Sequence, residues 1–334
     1  MKLQKKYLSH KLFRILRQHI NFGQVTIPLI LLMEFLAPLM NAHSLLETRV
    51  LAAVTVYFQA HRGAVDERPE DTLIAVKHAW QFPGAIPEVD VRTSEDGYLF
   101  VLHDTSLART TNAPDKIKNI NTKDLPFEEI RKWDAGIKFS PIYKGVKVPS
   151  LSEIFVEMSK NPERMIYLDI KNVDLNKLKK MVDQFGFEKH IIFVNGKQQM
   201  LVKLKKMFPT ARTMTWLSGS AQEIKDKFAA LRIRDFAGID QLQFHLKVAE
   251  KAPEITYALD PRFLVSARDI LEKHGIVMQL RPFEYNALSL KKLIDLGVHW
   301  FVTNAPQKFY QTVQQALALE MGTLLYLQSN QKFR

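Results

Sequence analysis

The chain has 334 residues, no cysteine, 46% apolar residues and 25% charged ones. That balance excludes a disordered tail protein and a polytopic membrane protein, and the missing thiols exclude a disulfide scaffold, a Cys-ligated metal site and a thiol nucleophile. Lysine and arginine outnumber aspartate and glutamate 47 to 35, a net charge of +12, which favours anionic partners such as phosphate esters, lipid headgroups or nucleic acid.

Residues 1–50 carry seven basic side chains against Glu34 and Glu47. A basic arm, Lys2 to Arg17, precedes an apolar run, Ile27 to Met40, broken by Pro28, Glu34 and Pro38 and followed by Asn41–Ala42–His43–Ser44. This order resembles a secretory signal. The run is shorter than the roughly 20 apolar residues of a membrane span, and Glu34 opposes insertion. The segment is therefore expected to be signal-like or a membrane-associated helix, which would make the protein periplasmic, secreted or bound at a membrane surface. An amphipathic helix capping the barrel of a cytoplasmic protein is the alternative. The basic arm is read as a targeting or solvated segment, and no nucleic-acid partner is expected.

Beyond residue 50, β-forming runs alternate with helical patterns. The runs are Val54–Ala60, Ala85–Val91, Arg164–Ile170, His190–Val194, Ala211–Trp216, Gly238–Leu242, Gly275–Leu280 and Trp300–Thr303. Helical spacing is found over Thr72–Gln81, Leu175–Phe185, Gln198–Phe208, Ala221–Ala230, Leu264–His274 and Leu288–Leu296. Eight such units predict an α/β chain closed into a (β/α)8 barrel over residues 51–315, with a helical tail over 316–334. A doubly wound open sheet is the runner-up, but no G-x-G-x-x-G follows the first run. One long insertion breaks the alternation after the second strand. It opens with a hairpin expected to turn on Asp96–Gly97 as a two-residue loop. That register sets Asp90 directly opposite His103. Residues 105–150 are expected to form loops and short helices at the barrel mouth.

Reacting groups of such barrels sit at the C-terminal ends of the strands. The first run ends in His61–Arg62–Gly63, the second holds Glu88–Val89–Asp90, the hairpin ends in His103–Asp104 and the third run ends in Asp169–Ile170–Lys171. Glu88 and Asp90 are two apart on a strand and share a face, as do Asp169 and Lys171. Three carboxylates suit a hard divalent cation, Mg²⁺ or Ca²⁺. His61 and His103 supply a general acid and a general base, and Arg62 and Lys171 can hold a phosphoryl oxygen. The set points to metal-assisted phosphodiester cleavage. Taken singly, each element has a plainer account, as a rim ion pair or a loop-junction histidine.

Ala60–His61–Arg62–Gly63, Arg68–Pro69–Glu70–Asp71–Thr72, Glu88–Val89–Asp90–Val91, Thr93–Ser94–Glu95–Asp96–Gly97, Leu102–His103–Asp104, Leu107–Ala108–Arg109–Thr110–Thr111, Lys147–Val148–Pro149–Ser150–Leu151–Ser152–Glu153, Leu168–Asp169–Ile170–Lys171 and Thr303–Asn304–Ala305–Pro306 together resemble the glycerophosphodiester phosphodiesterase (GDPD) family. The likeness runs from about Ala60 to Pro306. It implies a TIM barrel and hydrolysis of glycerophosphodiesters to glycerol 3-phosphate and an alcohol with a divalent cation. By position it implies His61 and His103 as the acid/base pair, Glu88, Asp90 and Asp169 as metal ligands, and Arg62 and Lys171 as phosphate-binding groups, with Glu70 in a supporting role. Where the family usually has Asn, this chain has Asp71, a difference of small consequence if that residue only opens the first helix. Asp169 replaces a usual Glu and is shorter by one methylene, so the metal is expected to shift or be bridged by a water; Asn304 replaces a usual Asp; and Val277–Met278–Gln279–Leu280–Arg281 lacks the usual Trp–Thr–Val–Asn, so the alcohol side of the substrate is expected to differ. The substrate is a small-molecule or lipid phosphodiester. The alternatives are a lysophospholipase D or sphingomyelinase D-like activity on membrane lipids, or a weakly active phospholipid-binding barrel.

Overall fold

The structure, a computed structural model, describes residues 55–331, so the expected N-terminal targeting or membrane segment, residues 1–50, lies outside the described residues. The strands in chain order are β1 (Tyr57–Ala60), β2 (Ala85–Thr93), β3 (Leu99–Val101), β4 (Ile166–Ile170), β5 (Ile191–Val194), β6 (Arg212–Leu217), β7 (Gln241–Leu246), β8 (Val248–Glu250), β9 (Thr256–Tyr257), β10 (Val277–Pro282) and β11 (Trp300–Thr303). Eight of them pair in parallel in the order β1, β11, β10, β7, β6, β5, β4, β2, and the β1–β2 pairing closes the ring. β3 extends the sheet as the antiparallel partner of β2, and β8 and β9 form a separate ribbon. A helix follows each barrel strand on its way to the next, among them Leu73–Ala79, Leu151–Met158, Leu175–Phe185 and Ala221–Ile233. The closed (β/α)8 barrel is the architecture expected from the alternation.

Local chemistry sets the helix limits. Ser150 with Glu153 and Ser220 with Glu223 form capping boxes that satisfy exposed N–H groups of the first turn. Gly186 ends the Leu175–Phe185 helix in the left-handed conformation. The last helix, Pro306–Gln331, begins within the expected barrel range and runs into the expected C-terminal tail.

Strand alternation divides the interior from the outer layer. Phe244 of β7 packs on Phe228 and Phe263 of the surrounding helices, so Gln241, Gln243 and His245 face inward. Inside, the Tyr167 hydroxyl donates to Gln241 Oε1 at 3.0 Å, and Gln279 Nε2 donates to that hydroxyl at 3.3 Å. Ile86, Ile192, Val194 and Met214 fill the space around Tyr167. This plug closes the lower barrel and leaves the C-terminal strand ends as the open rim.

Two expectations are corrected. The sixth run was expected at Gly238–Leu242, whereas β7 starts at Gln241 and continues to Leu246. Gly238 takes a φ of +74°, and Asp240 turns its carboxylate to the N–H and hydroxyl of Thr213 at 2.8 and 3.0 Å, so residues 238–240 are a turn and the strand begins after it. The hairpin register is also off by one: Val91 pairs with Val101, Arg92 with Phe100 and Thr93 with Leu99. Ser94 N–H donates to Tyr98 O, and Gly97 N–H to Ser94 O, both at 3.0 Å, with Gly97 at φ +86°. The loop therefore has three residues, Glu95–Asp96–Gly97, closed by a left-handed glycine, rather than two. Asp90 consequently faces Leu102, whose N–H donates to Asp90 O at 2.8 Å, and His103 comes one residue later. The insertion beyond it has a small core of its own, with Phe100, Leu107, Leu125, Phe127 and Ile130 buried together.

Candidate active site

The chain leaves β1 through a tight turn. Gly63 has a φ of +81°, and a Cβ there would meet the Ala75 Cβ at 2.7 Å, so only glycine lets this turn rest on the first helix. Arg62 is itself left-handed at φ +49°. Its N–H donates to Glu88 Oε2 at 2.7 Å, its Nη1 to Glu70 Oε1 at 3.1 Å, and its Nε lies 3.6 Å from Asp90 Oδ2. A residue type that pays for this backbone conformation is held there by its partners, a frequent feature of functional sites.

Parallel pairing of β2 and β4 sets Asp90 beside Asp169. Glu88, Asp90 and Asp169, all buried, offer one oxygen each within 4.8 Å of one another. Lys171 Nζ stands over this cluster, 3.0 Å from Asp90 Oδ1 and 2.5 Å from Asp169 Oδ2. Three buried carboxylates around one point repel each other. Burial and its charged neighbours push Glu88 well above the usual carboxylate range, and burial with the Asp90 charge pushes Asp169 up to about 6. At Asp90 burial acts the same way but is outweighed by Lys171, His103 and Asp71, so that group stays below its ordinary value. Such a cluster holds protons when alone and fits a divalent cation, whose charge would let all three ionise.

Asp71 does more than open the first helix, and that expectation is corrected. The N-cap of the Leu73–Ala79 helix is Thr72. Asp71 is buried, and its Oδ1 accepts from the Asp90 N–H at 3.1 Å. Burial and the charges of Asp90 and Glu88 push its carboxyl well up. Oδ2 of Asp71 and Oδ2 of Asp90 are buried without a hydrogen-bond partner among the described residues.

The two histidines have different settings. His61 Nδ1 lies 3.0 Å from Asn304 Oδ1 and 3.2 Å from Arg281 Nη2, which also donates to Asn304 Oδ1 at 3.2 Å. Burial first, then Arg281 and Arg62, push its pKa down to about 3, so the ring is neutral. His103 Nδ1 lies 2.7 Å from Asp104 Oδ1. Arg109 donates to Asp104 Oδ2 at 2.7 Å and, through both terminal nitrogens, to Glu70 at 2.6 Å. Bonding to Arg109 holds the Asp104 carboxyl down at about 2. One chain of charge thus runs from His103 through Asp104, Arg109 and Glu70 to Arg62. His103 O also accepts from Arg92 Nη2 at 2.6 Å.

The structure therefore brings His61, Arg62, Glu88, Asp90, Asp169 and Lys171 to one rim, with His103 linked through Asp104. Asp71, Arg281, Asn304 and His245 also stand at this rim, without a site role expected from their sequence positions. For the last, the alternation of Gln241–Leu242–Gln243–Phe244–His245–Leu246 is the signal that would have extended the strand to the rim.

Residues 61–308 match the Glycerophosphoryl diester phosphodiesterase family. The chain is 35% identical over 156 residues to a glycerophosphodiester phosphodiesterase of Caldanaerobacter subterraneus subsp. tengcongensis, covering 45% of this chain and 62% of that protein. It is 27% identical over 259 residues to the glycerophosphodiester phosphodiesterase of Bacillus altitudinis, covering 75% of this chain and 94% of that one. Its fold is similar to that of an Oleispira antarctica phosphodiesterase solved in complex with the product sn-glycerol-3-phosphate, with a TM-score of 0.56 at 21% identity, covering 79% of this chain and 99% of the other.

Proposed function

The chain belongs to the glycerophosphoryl diester phosphodiesterase family, and from that membership we propose that it is a cation-dependent hydrolase that cleaves small glycerophosphodiesters to glycerol 3-phosphate and an alcohol at this rim. The observation that carries the proposal is the buried cluster of Glu88, Asp90 and Asp169 set beside two histidines with different hydrogen-bond partners and two cations. Glu88, Asp90 and Asp169 would hold Mg²⁺ or Ca²⁺, which when bound supplies Lewis-acid charge for the phosphoryl oxygens. Arg62 and Lys171 bind the same oxygens.

The histidine settings divide the proton work. The general base must start unprotonated, as the buried ring of His61 is. The general acid must hold a proton, which suits His103 against the Asp104 carboxylate. His61 takes a proton from the attacking water, the water oxygen bonds to phosphorus as the phosphorus–oxygen bond to the alcohol breaks, and His103 gives its proton to the departing oxygen, so that diester and water leave as glycerol 3-phosphate and alcohol. Residues 1–50, basic then apolar, fit a targeting or membrane-surface segment that would bring the enzyme to lipid-derived substrates.

Leaving-group dependence tests the assignment. Both His61→Ala and His103→Ala should lower kcat on glycerophosphoglycerol by about 100-fold or more. On a glycerophosphodiester with a p-nitrophenol leaving group, which needs no protonation, His103→Ala should recover most of its rate and His61→Ala should not. Equal loss on both substrates in the His103 variant would contradict the assignment, and release of p-nitrophenyl phosphate and glycerol in place of p-nitrophenol and glycerol 3-phosphate from the second substrate would contradict the reaction.

A further inference from the structure

At the rim Arg62, Arg109 and Lys171 each pair with carboxylates, and Arg92 spends its donors on the carbonyls of Leu102 and His103. Arg281 is different. It is partly buried at the end of β10, only Nη2 is hydrogen-bonded, to His61 and Asn304, and among the described residues no carboxylate lies within 4 Å of it. Its neighbour in register on β7 is His245, whose Nε2 is buried without a hydrogen-bond partner. Burial and Arg281 hold that ring's pKa down at about 4, so it is neutral at pH 7. Glu88 and Asp66 act on Arg281 only from beyond ion-pair distance, so its Nε and Nη1, without hydrogen bonds among the described residues, are open to an anionic oxygen.

A cavity of about 110 Å³ opens at this point between the ends of β10 and β11, lined by Asp66, Arg281, Phe283, Tyr285, Asn304 and Lys308. Two aromatic rings and one carboxylate could suggest a choline site. The rings are already occupied by the protein's own cations: the Arg281 guanidinium lies 5.3 Å from the Phe283 centroid and Lys308 Nζ 5.8 Å from that of Tyr285. Two cations face one carboxylate, and Asp66 Oδ1 is engaged by Asn304 Nδ2 at 3.4 Å. The charge of the cavity therefore favours an anion and disfavours a quaternary ammonium.

We propose that Arg281, supported by Lys308, is a specificity determinant that selects glycerophosphodiesters whose alcohol half carries an anionic oxygen group, a carboxylate or a phosphate. This rests on the phosphodiesterase reading of the same rim. The full-length protein with a divalent cation would be assayed on glycerophosphodiesters of glycerate, of glycerol 3-phosphate, of glycerol and of choline, the first two separating carboxylate from phosphate. At least one anionic diester should exceed the choline diester by about 10-fold or more in kcat/KM, with most of the difference in KM. Because Arg281 touches His61, the readout is the ratio between substrates rather than the absolute rate. Arg281→Gln should bring the ratio close to 1, Arg281→Lys should restore part of it, and Lys308→Gln, on the exposed side, should lower it by a few-fold in a fold that stays intact. Binding of uncleavable phosphonate analogues of the same diesters gives the same ratio without turnover, so failure of the hydrolytic reading and failure of the selectivity are separable. A choline preference in either measurement, or a ratio unchanged by Arg281→Gln, would overturn the proposal.

Discussion

Asp169 shows how burial and charge at one position bear on the cation. Its carboxyl, pushed up to about 6 by burial and by Asp90, lies well above the usual value of about 3.9 in an unfolded chain. A raised acid favours the folded state when protonated, so its contribution to stability is present below about pH 4 and is lost as pH rises through about 6. Without a cation, Asp169→Asn should thus raise Tm relative to the parent at pH 7 and not at pH 4. Cation affinity follows the opposite course, because protons compete for the same oxygens, and should fall as pH drops below about 6. Calorimetric titration of Mg²⁺ or Ca²⁺ between pH 5 and 8 checks this. An Asn variant that binds the cation as well as the parent would remove Asp169 from the cluster. The gathering of His61, Arg62, Glu88, Asp90, Asp169 and Lys171 at one rim is legible in the sequence because each stands at or near a strand end. Asp71 and Asn304 are not, since their roles come from which backbone N–H or ring nitrogen the fold sets before them. Arg281 stands at the end of a run that was itself located, but its meaning depends on what is absent around it.

At the level of elements, alternation located most barrel strands to within two residues and missed where turn chemistry competed with it. The Asp96–Gly97 pair signalled a hairpin, but a left-handed glycine serves both a two-residue loop and the third position of a three-residue one. The hydrogen bonds between Ser94 and Tyr98 decide for the second. Gly97→Ala should cost about 1–2 kcal/mol from the left-handed backbone alone, and Gly97→Asn less, since Asn tolerates that conformation. Both variants displace the Lys177 amine that lies against Gly97, so the difference between them in chemical denaturation isolates the backbone effect. The insertion has the expected loops and short helices, and within it Leu107, Phe127 and Ile130 form a buried core that steadies the segment carrying Arg109. Phe127→Ala should cost about 3–5 kcal/mol and lower kcat by loosening the Arg109 links to Asp104 and Glu70.

Taken whole, the molecule concentrates its chemistry on one end of a closed barrel. The lower interior is plugged by Tyr167 and its glutamine partners, the helices cover the outside, and the rim is left to the carboxylates and cations. The first barrel strand begins at Tyr57, so a protein lacking residues 1–42 should stay folded and keep its kcat on soluble diesters, losing only membrane or export behaviour. A truncated protein that cannot fold would favour the capping-helix alternative. The central claim, that Glu88, Asp90 and Asp169 hold a cation on which diester cleavage depends, is tested most directly by stripping the full-length protein with chelator and titrating Mg²⁺ or Ca²⁺ back while following glycerol 3-phosphate release from glycerophosphoglycerol. The account predicts activity lost on chelation, restored by one of the two ions, and shifted to higher ion concentration in Asp169→Asn. Full activity in excess chelator, or no glycerol 3-phosphate with either ion, would contradict it.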